Sequence, residues 1–174
     1  MPLYEYNGKR PVVGKRSYIF DNAVVIGDVV LGENTYVGPG AVIRGDYGRI
    51  EVGTSSTIED LCVMHARPGQ VCRIDDHVTL GHAAIVHTAH VKDWCVIGMG
   101  AIVSDFAEVG EWCVIGEGAV VKNKSVIPPG KVAVGIPAKP VADTSDEFKK
   151  QWTEFKKLYN NLAEGQYPAL LKRL

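Results

Sequence analysis

Aliphatic residues recur along this chain at every sixth position, a spacing that matches neither the turn of an amphipathic helix nor the alternation of a half-buried strand. From Val91 the register runs unbroken through Ile97, Val103, Val109, Ile115, Val121 and Ile127. Four places after each leading residue stands a small one: Cys95, Ala101, Ala107, Cys113, Ala119 and Ser125. An earlier run places Ile19, Val25, Leu31, Val37 and Ile43 in the same frame, with Ala23, Val29, Thr35 and Ala41 at the small position. Between the runs the frame is interrupted, resuming at Val52, Ile58 and Met64, then at Ile74, Leu80 and Val86, and finally one residue short at Val91.

A repeat of this kind predicts short strands joined by tight turns, the aliphatic residue filling the interior and glycine relaxing the backbone at the corners. Each triangular coil takes three hexapeptides, so residues eighteen apart stack at the roughly 4.8 Å spacing of parallel neighbours. Trp94 on Trp112 and Cys95 on Cys113 fit that stacking. The expected fold class is all-β, a parallel β-helix over residues 19–142 preceded by a lead-in strand over 1–18.

The period changes after residue 142. Thr144 with Glu147 has the form of a capping box, and Phe148, Trp152, Phe155, Leu158, Tyr159 and Leu162 recur at helical spacing, with Gly165 as a stop. Residues 143–165 are expected to form one amphipathic helix lying along the β-helix or across a subunit boundary, and 166–174 a loose extension.

Composition narrows the partners. Nineteen basic residues against twenty acidic ones give a net charge of -1, which recommends neither nucleic acid nor an anionic membrane. The opening residues contain no apolar signal core, and no apolar run is long enough to span a bilayer, so the expected address is the cytoplasm. Cys62, Cys72, Cys95 and Cys113 form no CxxC pair and are expected as reduced thiols in the core.

The histidines carry the candidate chemistry. His65 follows Met64 and His87 follows Val86, so both hold the second position of their hexapeptides on one face of adjacent coils, pointing outward. Two nitrogens on one tetrahedral zinc ion lie roughly 3.3 Å apart, a separation that stacked imidazoles can reach. His82 comes two residues after Leu80, on the preceding face, and reaches such a site only from another subunit. A threefold ring supplies that contact, because it sets a different face of each neighbour opposite the pair. Three histidines and an open fourth position suit a catalytic ion. A lone outward histidine is ordinarily just solvated, which is the expectation for His77 and His90.

The segments Arg-Gly-Asp at 44–46, Val-Met-His-Ala at 63–66, Leu-Gly-His-Ala-Ala-Ile-Val-His at 80–87 and Gly-Ile-Pro-Ala-Lys-Pro-Val at 135–141 carry a likeness from Pro11 to the tail. In them the chain resembles the γ-class carbonic anhydrase family of hexapeptide-repeat proteins, particularly its short-loop members associated with phenylacetate and carnitine metabolism. The resemblance implies a left-handed β-helix, a homotrimer with zinc (or cobalt or ferrous iron) between subunits, and reversible hydration of carbon dioxide to bicarbonate. It also implies that His65 and His87 come from one subunit and His82 from its neighbour.

Arg44 and Asp46 are then an interface pair whose arginine can hold bicarbonate, or simply one that ties subunits together. Glu59 stands where the family usually has glutamine; it can accept a proton, or pair with Arg44. Tyr159 lies where relatives place a polar residue near the site, although an aromatic residue on an apolar face is more often packing. The acidic loop that follows the first histidine in founding members is replaced by Arg67–Gln70. Two alternatives stay open: acyl chemistry, as a metal-dependent acyl-coenzyme A thioesterase or a hexapeptide acyltransferase, and a non-catalytic metal-binding or interaction protein.

Overall fold

A computed structural model describes residues 2–173. Leading aliphatic residues stack in columns, as the period requires. Ile43 pairs with Met64, Met64 with Val86, Val86 with Val103 and Val103 with Val121, all in parallel register. The columns are sealed from water: Val25, Ile43, Met64, Val86, Val103 and Val121 are all 0% exposed. At about 25 cal/mol per Å2 of buried apolar surface, this continuous aliphatic core is the main term holding the coils together. The result is a left-handed β-helix of hexapeptide repeats with helical structure at its C-terminal end.

The interruption after Ile43 has a structural meaning that the repeat did not reveal. Val42–Val52 is one continuous strand that pairs with Val63–His65 through its first half and with Val71–Ile74 through its second. It turns from one face of the prism to the next without breaking, so two faces merge into a 12-stranded sheet, beside an 8-stranded sheet on the third. Gly48 sits on this crossing strand because a Cβ there would lie 2.4 Å from the Arg67 carbonyl oxygen.

The lead-in is two short strands rather than one. Leu3–Tyr4 pairs with Val25–Ile26 and Val12–Val13 with Val30–Leu31, covering the open end of the core. Trp94 stacks on Trp112 at 4.8 Å, as the repeat predicts. All four cysteines are free and buried. His77 and His90 are better held than solvated side chains: His77 stacks on Trp94 at 4.2 Å, and His90 bonds Asp75 at 2.8 Å.

The C-terminal segment departs from expectation in its details. Helix α1 spans Asp146–Asn161 and is capped by Ser145, whose hydroxyl accepts from the Phe148 amide, while the Thr144 hydroxyl donates to the Trp112 carbonyl instead. Gly165 does not stop the helix, since a π-helical turn, Leu162–Gln166, runs through it into a short helix α2, Tyr167–Leu170. The start of the tail is therefore packed: Tyr167 lies 5.3 Å from Tyr18 and 5.8 Å from Tyr36 between ring centroids. Nor is the inner face of α1 purely apolar. Phe155 and Leu158 are exposed, whereas Lys156 is buried, its amine donating to the Thr57 and Thr79 hydroxyls and the Val78 carbonyl, each at 2.8 Å.

Candidate metal centre

Parallel pairing of Ile85–His87 with Val63–His65 puts His87 directly over His65. The ring nitrogens that face each other, His65 Nδ1 and His87 Nε2, are 3.1 Å apart. Their outer nitrogens are each taken by a carboxylate: His65 Nε2 lies 2.9 Å from Asp46 Oδ1, and His87 Nδ1 lies 2.6 Å from Asp105 Oδ1. A ring nitrogen facing a carboxylate must carry the proton to make a hydrogen bond, which leaves lone pairs on the two inner nitrogens. Two lone pairs at this distance repel unless a proton or a cation stands between them.

This donor set suits a divalent ion. The separation is close to the roughly 3.3 Å expected for two ligands of tetrahedral zinc, and ligating histidines typically give their other N–H to a carboxylate. Each carboxylate is itself held by an arginine, Asp46 by Arg44 and Asp105 by Arg67. The Arg67 guanidinium, and then His87, hold the Asp105 carboxyl well below the usual carboxylate range. Burial works to raise Asp46, but bonds from His65 and Arg44 outweigh it and leave its carboxyl below the ordinary value. The ring of Tyr47 lies 5.9 Å from that of His65 at the outer edge.

His82 is elsewhere. It follows Thr79–Leu80 in the 8-stranded sheet, whereas the other two histidines end strands of the 12-stranded one. Among the described residues no three metal-ligating side chains gather within the single chain. The imidazole of His82 is about half exposed, with Nε2 3.1 Å from Glu59 and Nδ1 3.4 Å from Asp60. Glu59 is buried and also accepts from the His82 backbone amide at 3.2 Å. Tyr159 reaches the same carboxylate from α1; burial and its contact with Glu59 push the phenol well above its usual value. Arg44, Asp46, His65 and His87 thus form one group, and Glu59, His82 and Tyr159 a second.

Asp105 and Arg67 were not legible as site residues in the sequence. Asp105 lies eighteen residues after His87, one coil on, and stacking it against the histidine was the available signal. Arg67 counted only as part of a shortened loop.

A β-helix built from hexapeptide repeats, with paired histidines backed by carboxylates on its outer surface, defines the class of protein. The model for the bacterial transferase hexapeptide (six repeats) matches residues 10–45. A carbonic anhydrase of Geobacillus kaustophilus is 37% identical over 98% of this chain and 93% of its own length. The carnitine operon protein CaiE of Proteus sp. is 36% identical, over 87% of this chain and 77% of its own. Among solved structures, a Bacillus cereus protein named as a candidate acetyltransferase superposes with a TM-score of 0.93 at 34% identity, covering 97% of this chain and 98% of its own. The chain belongs to the γ-class carbonic anhydrase-like family of hexapeptide-repeat proteins.

Proposed function

We propose that this protein is a homotrimeric, metal-dependent enzyme for the reversible hydration of carbon dioxide. His65 and His87 of one subunit and His82 of its neighbour would hold zinc, with cobalt or ferrous iron as alternatives. The observation that carries the reading is the pair of unprotonated nitrogens 3.1 Å apart, each ring fixed from behind by an arginine-held aspartate. The curated relatives named as carbonic anhydrases support the same reaction. When bound, such an ion lowers the pKa of a water to about 7 and supplies hydroxide at neutral pH.

The side chains of this chain then divide the remaining work. Asp46 and Asp105 keep the protons of His65 and His87 on the outer nitrogens, so that the inner lone pairs stay available. Arg44 spends one edge on Asp46 and keeps further N–H donors for an anion of bicarbonate shape. Glu59 orients His82 from behind and offers a carboxylate oxygen where a proton leaves. Tyr159 steadies that carboxylate.

The test is metal analysis with a carbon dioxide hydration assay on freshly purified protein. Bound metal and hydration activity are expected together, and His82→Ala should lose both. A trimer that retains its ion yet stays silent with zinc, cobalt and ferrous iron refutes the reaction. The likeness to the Bacillus cereus structure favours acyl transfer or acyl-coenzyme A hydrolysis as the second reading, which consumption of an acyl-coenzyme A by the same preparation would support.

A further inference from the structure

Beside His82, on the side where α1 and α2 fold back over the β-helix, lies a cleft of about 430 Å3. Carbon dioxide does not account for it. A small molecule comparable with water occupies about 30 Å3, whereas clefts of roughly 300–1,000 Å3 are the range for organic ligands.

The lining is chemically one-sided. Five aromatic rings contribute, those of Phe20, Tyr36, Phe155, Tyr159 and Tyr167, and they run in contact with one another. Tyr36 lies 5.8 Å from both Tyr159 and Tyr167, Phe20 lies 6.0 Å from Tyr167, and Phe155 lies 5.7 Å from Tyr159. The charged lining groups are the carboxylates of Glu59 and Asp60, and among the described residues no lysine or arginine lines the cleft. Lys156, on the same helix, is enclosed with its amine spent on Thr57, Thr79 and Val78. Glu59 is taken up by His82 and Tyr159, but Asp60 is 43% exposed at the carboxylate and its closest charged contact, His82 Nδ1, stands at 3.4 Å.

Each ligand class can be weighed against this wall. An anion meets two carboxylates and no compensating base. A neutral apolar molecule satisfies the rings and leaves Asp60 without a partner. A small hydrated cation satisfies Asp60 but must surrender its water to aromatic faces. An ammonium ion whose charge is spread over methyl groups meets all three conditions, because it is weakly hydrated, apolar at its surface and attracted by ring faces.

We propose that this cleft is a binding site for a quaternary ammonium ion, a trimethylammonium head carried on a short chain, with the rings around the head and Asp60 as counter-charge. The site depends neither on the metal nor on carbon dioxide chemistry, so it stands or falls separately from the reaction proposed above.

The probes are tetramethylammonium and choline, with 3,3-dimethylbutan-1-ol as the uncharged shape-matched control. The assays are calorimetric titration and saturation-transfer NMR on the methyl groups, at fixed ionic strength with the metal-free and metal-loaded protein. Saturable binding of both cations is expected with either preparation, the neutral alcohol binding about tenfold more weakly. Asp60→Asn should weaken the cations and leave the alcohol unchanged. Leu158→Trp, at a 55% exposed position on the cleft wall, should fill the space and abolish binding while the protein keeps its native circular dichroism. Equal affinity for alcohol and cation overturns the proposal, as does unchanged binding in Leu158→Trp. Absence of saturation transfer in the folded wild type, the outcome if a neighbouring subunit covers the cleft, overturns it equally.

Discussion

Lys156 offers a sharp test of how the C-terminal helix is held over the site. Its amine is 1% exposed, three protein acceptors surround it, and no carboxylate bonds it. Burial drives its pKa well below the ordinary lysine value, with Glu59 the opposing influence. Lys156→Met keeps the length of the side chain and removes three hydrogen bonds. The partners left behind are two threonine hydroxyls, at 1% and 2% exposure, and a backbone carbonyl.

At about 1 kcal/mol for each bond the loss is about 3 kcal/mol. Two effects reduce it: methionine needs no desolvation of an amine, and Thr57 and Thr79 are paired neighbours whose hydroxyls can turn toward each other. A net cost of about 1–3 kcal/mol at pH 7 follows. The pH dependence has a definite sign. A depressed native pKa means that the unfolded chain binds more protons between the native value and about 10.4, so wild-type stability rises with pH across that window. The contribution is fully present above the unfolded value and is lost as pH falls through the native one. The methionine variant lacks this slope, so the gap between the two proteins should widen from pH 7 to pH 9.5. Urea unfolding at matched protein concentration, followed by tryptophan fluorescence at both pH values, measures it. A gap that stays constant or narrows means that Lys156 is buried as an ordinary ammonium, and the reasoning fails.

Further outcomes follow from the same geometry. Asp105→Asn should lower metal affinity about 10–100-fold in a chelator competition, while Asp75→Asn, which touches His90 in the same manner, should leave it unchanged. Gly48→Ala sets a methyl group 2.4 Å from the Arg67 carbonyl oxygen and 2.5 Å from that of Gln70, and a loss of about 1–3 kcal/mol should appear as a lower melting temperature. Ile97→Ala opens a cavity in a column that is 0% exposed and should cost about 2–5 kcal/mol by the same measurement. Tyr159→Phe removes the hydroxyl that meets Glu59 and should lower hydration turnover while leaving bound metal unchanged, as metal analysis beside the rate assay will show.

The period of six was enough to determine the β-helix, because each leading aliphatic residue has one way to escape water and stacking it on its neighbours fixes the coil. It also fixed the register of His87 over His65, since residues in the same hexapeptide position share a face. Handedness did not follow from periodicity, because the same columns of aliphatic residues are compatible with either hand; it came from family likeness.

What the tertiary structure decided lies where contacts join residues far apart in sequence or off the repeat. Asp105 comes to His87 only because adjacent coils stack, and Arg67 only because its loop folds back over that aspartate. Val42–Val52 crosses a corner that a strict repeat would have broken. Lys156 sits in a row of apolar residues where helical periodicity assigns a lysine to solvent, yet three acceptors on the β-helix surface draw it inward. The tail after Gly165 carries no strong pattern of its own, and it is ordered by Tyr18, Phe20 and Tyr36, rings that lie more than a hundred residues earlier in the chain. A local pattern records which face of a segment avoids water, but not which distant polar group will be there to meet it.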